Sequence, residues 1–284
     1  MILLWWTVWL LSPVQDCEDH AAWITRLNSR YLAVETMDQA FQGDMETAKQ
    51  VQHCFVEGLI SQLGPRAGYK AALTNPAARK RFGTEQPLMG VLLQKMLLPD
   101  KTPISLNFGS RPMLEGDLLV KVGSDAINEA GTEDEVLAAL ESVIPFMELA
   151  DLVYAPGVPL SGPAITAVNA GARAGIMGEE IPLRSASWRE ALAAMNVVML
   201  DDQNQILAEG NTAALLGHPL KAVIWIRDQV LAGGGRLKKG DLLSLGSVTP
   251  PVFRKTSGSV RLRYSGGLLE HPIEIEVMLT ATGE

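Results

Sequence analysis

The stretch Arg111-Pro112-Met113-Leu114-Glu115-Gly116-Asp117-Leu118-Leu119-Val120-Lys121-Val122 decides how this chain is read. Its second half has strand composition, and side chains at i and i+2 of a strand point to one face. Glu115 and Asp117 therefore face the same way, followed by apolar residues. Two such carboxylates are costly unless a cation or a partner compensates them. A third, Glu148, interrupts the apolar run Val143-Ile144-Pro145-Phe146-Met147-Glu148-Leu149-Ala150. Three carboxylates without an obvious His or Cys partner suit a hard divalent ion, Mg2+ or Mn2+. The same spacing is met by solvent-facing charges, since acid pairs two apart are common on exposed strands. On the pattern alone both readings stay open.

Composition narrows the field. The chain has 284 residues, 47% hydrophobic and 20% charged, enough for one large domain or a domain with a small extension. The formal net charge is -8. No block of Lys or Arg suggests nucleic acid or an anionic membrane. The short cluster Arg79-Lys80-Arg81 reads as a solvated helix face. Met1 to Leu11 is apolar apart from Thr7 and carries three tryptophans. It is too short for a stable membrane span but fits the apolar core of a signal peptide. Residues 1–15 are therefore expected to be a signal peptide and the protein exported, periplasmic or extracellular. A start codon called wrongly, an interfacial helix and a cytoplasmic protein are the alternatives. In an exported protein Cys17 and Cys54 suggest one disulfide; in a cytosolic one they read as inert thiols. Their spacing fits no zinc site.

The apolar periodicity Ala48, Val51, Phe55, Leu59, Leu63 predicts a helix, within a helical stretch over residues 18–63 that Gly64-Pro65 stops. Residues 66–74 read as a strand carrying Lys70. Asn75 and Pro76 read as the N-cap and first residue of a short helix. Residues 90–125 read mostly as strand. Thr132 and Glu135 form a capping box for a helix to about Ser142. Residues 164–174 read as another helix, and 195–209 as a hairpin turning at Asp201-Asp202-Gln203-Asn204. A helix from His218 to Leu231 is expected to end at Gly233-Gly234-Gly235, a C-cap and not a phosphate loop. Strands are expected over 241–247, 259–265 and 272–279. Ser61, Ser161 and Ser257 sit in no nucleophile elbow.

Several stretches resemble one family in the right order. Gly68-Tyr69-Lys70-Ala71-Ala72-Leu73-Thr74 is similar to the Gly-His-Lys-x-Gly-Leu-Thr signature of the 2-keto-4-pentenoate hydratases, members of the fumarylacetoacetate hydrolase superfamily. Gln86-Pro87-Leu88-Met89-Gly90 resembles the family's Gln-Pro-x-x-Gly, and Glu115-Gly116-Asp117 its Glu-Ala-Glu. Glu148 to Asp151, Asn169, Gly217 to Trp225 and Leu237 to Ser247 resemble later family blocks. The resemblance runs from about Gln52 to near the C-terminus. Asp117 stands for the usual Glu, Gly116 for Ala, Tyr69 for His, and Leu88 where members often carry Asp. The Gly116 exchange is expected to loosen the strand between the acids.

The resemblance implies an α+β fold: a helical N-terminal layer over 16–65 on a strand-rich mixed β-roll or barrel, residues 66–284, with the active site in its mouth. It implies Glu115, Asp117 and Glu148 as ligands of Mg2+ or Mn2+. Lys70 would contact a small-molecule 2-keto acid, Asp151 would orient a ligand or water, and Thr74, Ser247 and Thr249 would bind substrate. The expected activity is hydration of a 2-keto-4-enoic acid. Decarboxylation or C–C hydrolysis of a related keto acid, or a divergent exported chain without catalysis, are the alternatives. A homo-oligomer is also implied.

Overall fold

Residues 17–281 are described by the structure, a computed structural model. The expected signal peptide lies outside the described residues.

Helix α1, Ala21–Ala33, ends where Val34 turns left-handed at φ 59°. Helix α2, Met45–Leu63, starts at Asp44, whose carboxylate accepts from the Thr47 amide at 2.8 Å. It stops at Gly64, whose φ of 81° suits glycine. The apolar stripe of α2 packs with α1 on Leu93, Met96, Val153, Tyr154 and Ala164. The helical layer therefore shares its core with the strands beneath it. A disulfide joins Cys17 to Cys54 on α2, with Cα atoms 5.8 Å apart.

Among the described residues the body holds thirteen strands: β1 Arg66–Ala72, β2 Leu88–Leu93, β3 Leu97–Pro99, β4 Pro103–Ser105, β5 Pro112–Val122, β6 Leu140–Asp151, β7 Ala174–Met177, β8 Ile181–Pro182, β9 Met195–Asp201, β10 Ile206–Asn211, β11 Leu242–Ser244, β12 Gly258–Gly266 and β13 Ile273–Thr280. The larger sheet runs β2-β1-β11-β5-β6-β7-β3, with β8 added beside β6; the smaller runs β10-β9-β12-β13-β4. Short helices link them: α3 Pro76–Arg81, α4 Glu133–Ala138, α5 Gly162–Ala167, α6 Trp188–Ala193 and α7 Pro219–Ala232. Asn75, Thr132 and His218 cap α3, α4 and α7 with their side chains. The α+β architecture expected from the sequence is the one observed.

The two sheets pack face to face. Leu114, Leu118, Val120, Met147 and Leu149 from the larger meet Val197, Met199, Val260, Leu262 and Ile275 from the smaller. Residues of β5 and β6 alternate faces, so this packing pushes Glu115, Asp117 and Glu148 onto the other face of the larger sheet. Gly116 belongs to the packed face. A Cβ there would lie 2.9 Å from Thr249 Cγ2 and 3.1 Å from Val197 Cγ1. It marks a tight approach of the two sheets, in place of the looseness expected from its sequence.

Two helices are shorter than expected. The capping box of α4 forms, yet the helix ends at Ala138 because Leu140 begins β6. The expected helix over 164–174 breaks into α5, a left-handed turn and β7.

Candidate functional site

β5 and β6 pair antiparallel with Glu115 directly opposite Glu148 and Asp117 opposite Phe146. Like charges directly opposed on a sheet destabilise it unless something neutralises them. Here the neutralising group comes from β1. Lys70 pairs with Ser244 of β11, which in turn pairs with Leu119 of β5. The register therefore delivers Lys70 to the face of the acids. Its ammonium donates to Glu148 Oε1 in a buried ion pair, and to the Ala170 carbonyl at 3.2 Å. Lys70, Asp117 and Glu148 are each no more than 3% exposed, and Glu115 is half-buried.

Asp117 is held by neutral donors: the Ser244 hydroxyl and the Gly246 amide, the latter at 2.9 Å. Gly246 has a φ of 108°, a backbone shape that favours glycine, and it brings this amide to the carboxylate. Tyr264 reaches over from β12, donates to the Asp117 carbonyl at 2.6 Å and accepts from the Phe146 amide at 3.0 Å. It clamps the strand pair where the acids stand.

The electrostatics follow from three carboxyls meeting one ammonium. Burial and the charge of Glu148 push Glu115 up to about 7, against relief from Lys70 and the Ser247 hydroxyl. Burial and Glu148 likewise push Asp117 well above the usual carboxylate range, against relief from Ser244, the Leu118 amide and Lys70. For Lys70, burial opposes the charge, but Glu148, Glu115 and Asp117 outweigh it and raise the ammonium's pKa. Buried acids perturbed by burial and by one another in this way make this face a candidate functional site.

The structure brings together Lys70, Glu115, Asp117, Glu148 and Ser247. It does not bring Asp151 to them. Three residues past Glu148, Asp151 points to the opposite face and accepts from the amides of Ser110, Arg111 and Val153 at 2.9, 2.8 and 3.0 Å. It fastens the loop before β5. The Thr249 hydroxyl accepts from the Gly116 amide at 2.9 Å, and Thr74 is buried against Gly246. Both hold the backbone that carries the site. Leu88 is buried with Ile165 and Ala170, so the wall beside the Lys70 turn is apolar. Trp225 packs partly buried against the core, as expected, and also lines the rim of a groove of about 800 Å³ with Tyr69 and His53. That groove lies on the Tyr69 side of β1, away from Lys70.

Among the described residues no three His, Cys, Asp or Glu side chains stand as a ready metal cage; Lys70 occupies Glu148 and Ser244 holds Asp117. The donor set nonetheless fits a hard dication. All three groups are carboxylates on one face, and together they exceed the one ammonium beside them by two charges when ionised. Ser244, Tyr264 and Gln52 escaped the sequence reading, since each acts through register and turn geometry that spacing does not show.

No family model matches the chain. A 2-keto-4-pentenoate hydratase of Paraburkholderia phymatum is 27% identical over 258 residues, 90% of this chain and 96% of that one. Among solved structures, a 4-oxalocrotonate decarboxylase from Pseudomonas putida, complexed with magnesium and adipate, superimposes with a TM-score of 0.80 at 21% identity, covering 93% of this chain and 98% of that one. A fumarylpyruvate hydrolase from Pseudomonas aeruginosa, in complex with Mn2+ and pyruvate, does so with a TM-score of 0.51 at 13% identity, covering 76% of this chain and 90% of that one. At these identities the solved structures speak for the fold. With the curated relatives, they make the chain a homologue of the 2-keto-4-pentenoate hydratases, on the fold of the fumarylacetoacetate hydrolase superfamily.

Proposed function

We propose that this chain is a divalent-metal-dependent lyase that hydrates a 2-keto-4-enoic acid. The observation that carries the reading is the meeting of Glu115, Asp117 and Glu148 with Lys70 on one buried sheet face. The hydratase relative and the metal complexes of similar folds support it.

Glu115, Asp117 and Glu148 would hold Mg2+ or Mn2+, which supplies positive charge for the keto and carboxylate oxygens of the substrate. Lys70 places a second cation at the same spot and neutralises the acid's charge as it enters. In the metal-free protein, burial and Glu148 make Glu115 hold its proton up to about 7, and a dication bound there would keep its carboxylate ionised. The burial of Lys70 and Asp117 strengthens each of these interactions by excluding water. Ser247, beside Glu115, is placed to steady that carboxyl or a substrate oxygen.

Decarboxylation of a 2-keto acid is the second reading, favoured by the similarity to the 4-oxalocrotonate decarboxylase. Both readings need the same stabilisation of negative charge beside the keto group and differ in which bond breaks. Assaying a panel of 2-keto acids with Mg2+ or Mn2+ separates them. Water added to the chain without CO2 release supports hydration. CO2 release selects decarboxylation, and no metal-dependent turnover of any member rejects both.

We also propose that the protein works in an oxidising compartment after export. The Cys17–Cys54 disulfide supports this. Intact-mass measurement of protein from its native host tests it. Two free thiols would contradict it.

A further inference from the structure

Lys70 is held from two sides, and only one of them is a carboxylate. The other is the Ala170 carbonyl, 3.2 Å from Nζ. That carbonyl belongs to a turn in which Asn169, Ala170 and Gly171 have φ values of 58°, 51° and 73°. Three successive left-handed residues are costly, most of all at Ala170, whose Cβ meets the clash that glycine escapes. Such a turn persists only where its surroundings impose it.

Two buried amides impose it. Asn169 is fully buried. Its Oδ1 accepts from the Val91 amide at 2.7 Å and from Gln52 Nε2 at 3.0 Å, and its Nδ2 donates to the Val91 carbonyl at 2.9 Å. Gln52, on α2, also donates to the Met89 carbonyl at 2.7 Å. Helix α2, strand β2 and the turn are thus tied together. Between them sits Gly90, the pairing partner of Lys70. A Cβ there would lie 2.8 Å from the Asn169 carbonyl and 2.8 Å from Lys70 Cγ. The turn and the lysine stem press on the same small residue from two sides.

We infer that Gln52 and Asn169 are positioning residues for Lys70. They fix the left-handed turn whose Ala170 carbonyl anchors the ammonium beside Glu148. Neither side chain touches a carboxylate of the site, so their effect passes through the turn. Without them Ala170 relaxes toward right-handed backbone, its carbonyl leaves Nζ, and Lys70 loses one of its two anchors. The catalytic consequence rests on Lys70 being the group that meets the keto acid.

The test compares Gln52→Met, which keeps the volume but loses both donors, with Asn169→Gly, which keeps left-handed freedom but loses the amide. Two readouts are independent of each other. One is kinetics on a 2-keto acid the wild type consumes. The other is the rate at which acetic anhydride acylates Lys70 in folded protein, followed by mass spectrometry. Loss of one anchoring contact should lower kcat by about tenfold while KM moves by less than about threefold. Lys70 should be acylated faster, with Mn2+ affinity held within about twofold of wild type. A merely structural amide pair would lower the melting temperature but leave kcat per folded molecule and the acylation rate unchanged, which overturns the inference. If Asn169→Gly does not fold, Gln52→Met decides alone. If the wild type consumes no 2-keto acid, the proposed function falls, and the acylation rate by itself settles the positioning role.

Discussion

At the scale of single residues, the proposed chemistry turns on Lys70 and Glu115. Replacing Lys70 by Met keeps its volume and removes the charge proposed to meet the keto acid. Loss of a charge-assisted contact in a closed site costs about 2–4 kcal/mol, so kcat/KM should fall roughly 30- to 1000-fold. Metal affinity should be retained or improved, because Glu148 is freed of its ion pair. Steady-state kinetics beside a Mn2+ titration checks both halves. Glu115 gives a pH dependence. Its folded value of about 7 lies above its ordinary 4.5, so the folded state holds the proton more tightly than the unfolded chain. The stability this lends is full below the ordinary value and is lost as pH rises to about 7. Asp117 shifts in the same direction. Metal-free protein should therefore melt lower at about pH 8 than at about pH 5, and Mn2+ should raise the melting temperature more at the higher pH. A Mn2+ shift that is equal at both values would contradict the clustering of these acids.

At the scale of elements, the β5–β6 pair is the platform, and Tyr264 is its fastening from the second sheet. Tyr264→Phe leaves the Asp117 carbonyl and Phe146 amide without that partner in the interior. The cost is about 1–3 kcal/mol of stability, seen in denaturant unfolding, with a larger loss in Mn2+ affinity than a distant core substitution of equal cost. Strand β5 was legible in sequence, because Glu115 and Asp117 alternate with buried apolar residues. β6 was harder to read. It is buried on both faces from Ser142 to Asp151, so no alternation shows, and Pro145 argues against a central strand. The capping box at Thr132 told where α4 begins but not where it ends, since pairing with Val122 pulls Leu140 into the sheet. The 169–171 turn was invisible, because Asn-Ala-Gly after an alanine-rich helix gives no hint that Ala170 is left-handed. The site's acids and lysine were legible from the family pattern. Their polar supports were not, because Ser244 and Tyr264 reach the site only through pairing between distant strands.

At the scale of the whole molecule, the second sheet covers one face of the larger sheet and leaves the acids on the other, and α2 is tied through Gln52 to the turn beside Lys70. The disulfide pins the N-terminal end of the described chain to this helix across a separation of 37 residues. In the chain-entropy account a closed loop of that size stabilises by about 3–4 kcal/mol. Reduction should lower the melting temperature of wild type and leave a Cys17→Ser, Cys54→Ser variant unchanged; equal stability with and without reductant in wild type would count against the bond. The central claim is that Glu115, Asp117 and Glu148 form one divalent-ion site. Calorimetric titration of metal-stripped protein with Mn2+ measures it most directly. The account predicts one site per chain in wild type, lost or weakened at least about tenfold in Glu148→Ala and Glu115→Gln at unchanged folding. Equal Mn2+ affinity in wild type and Glu148→Ala would contradict it.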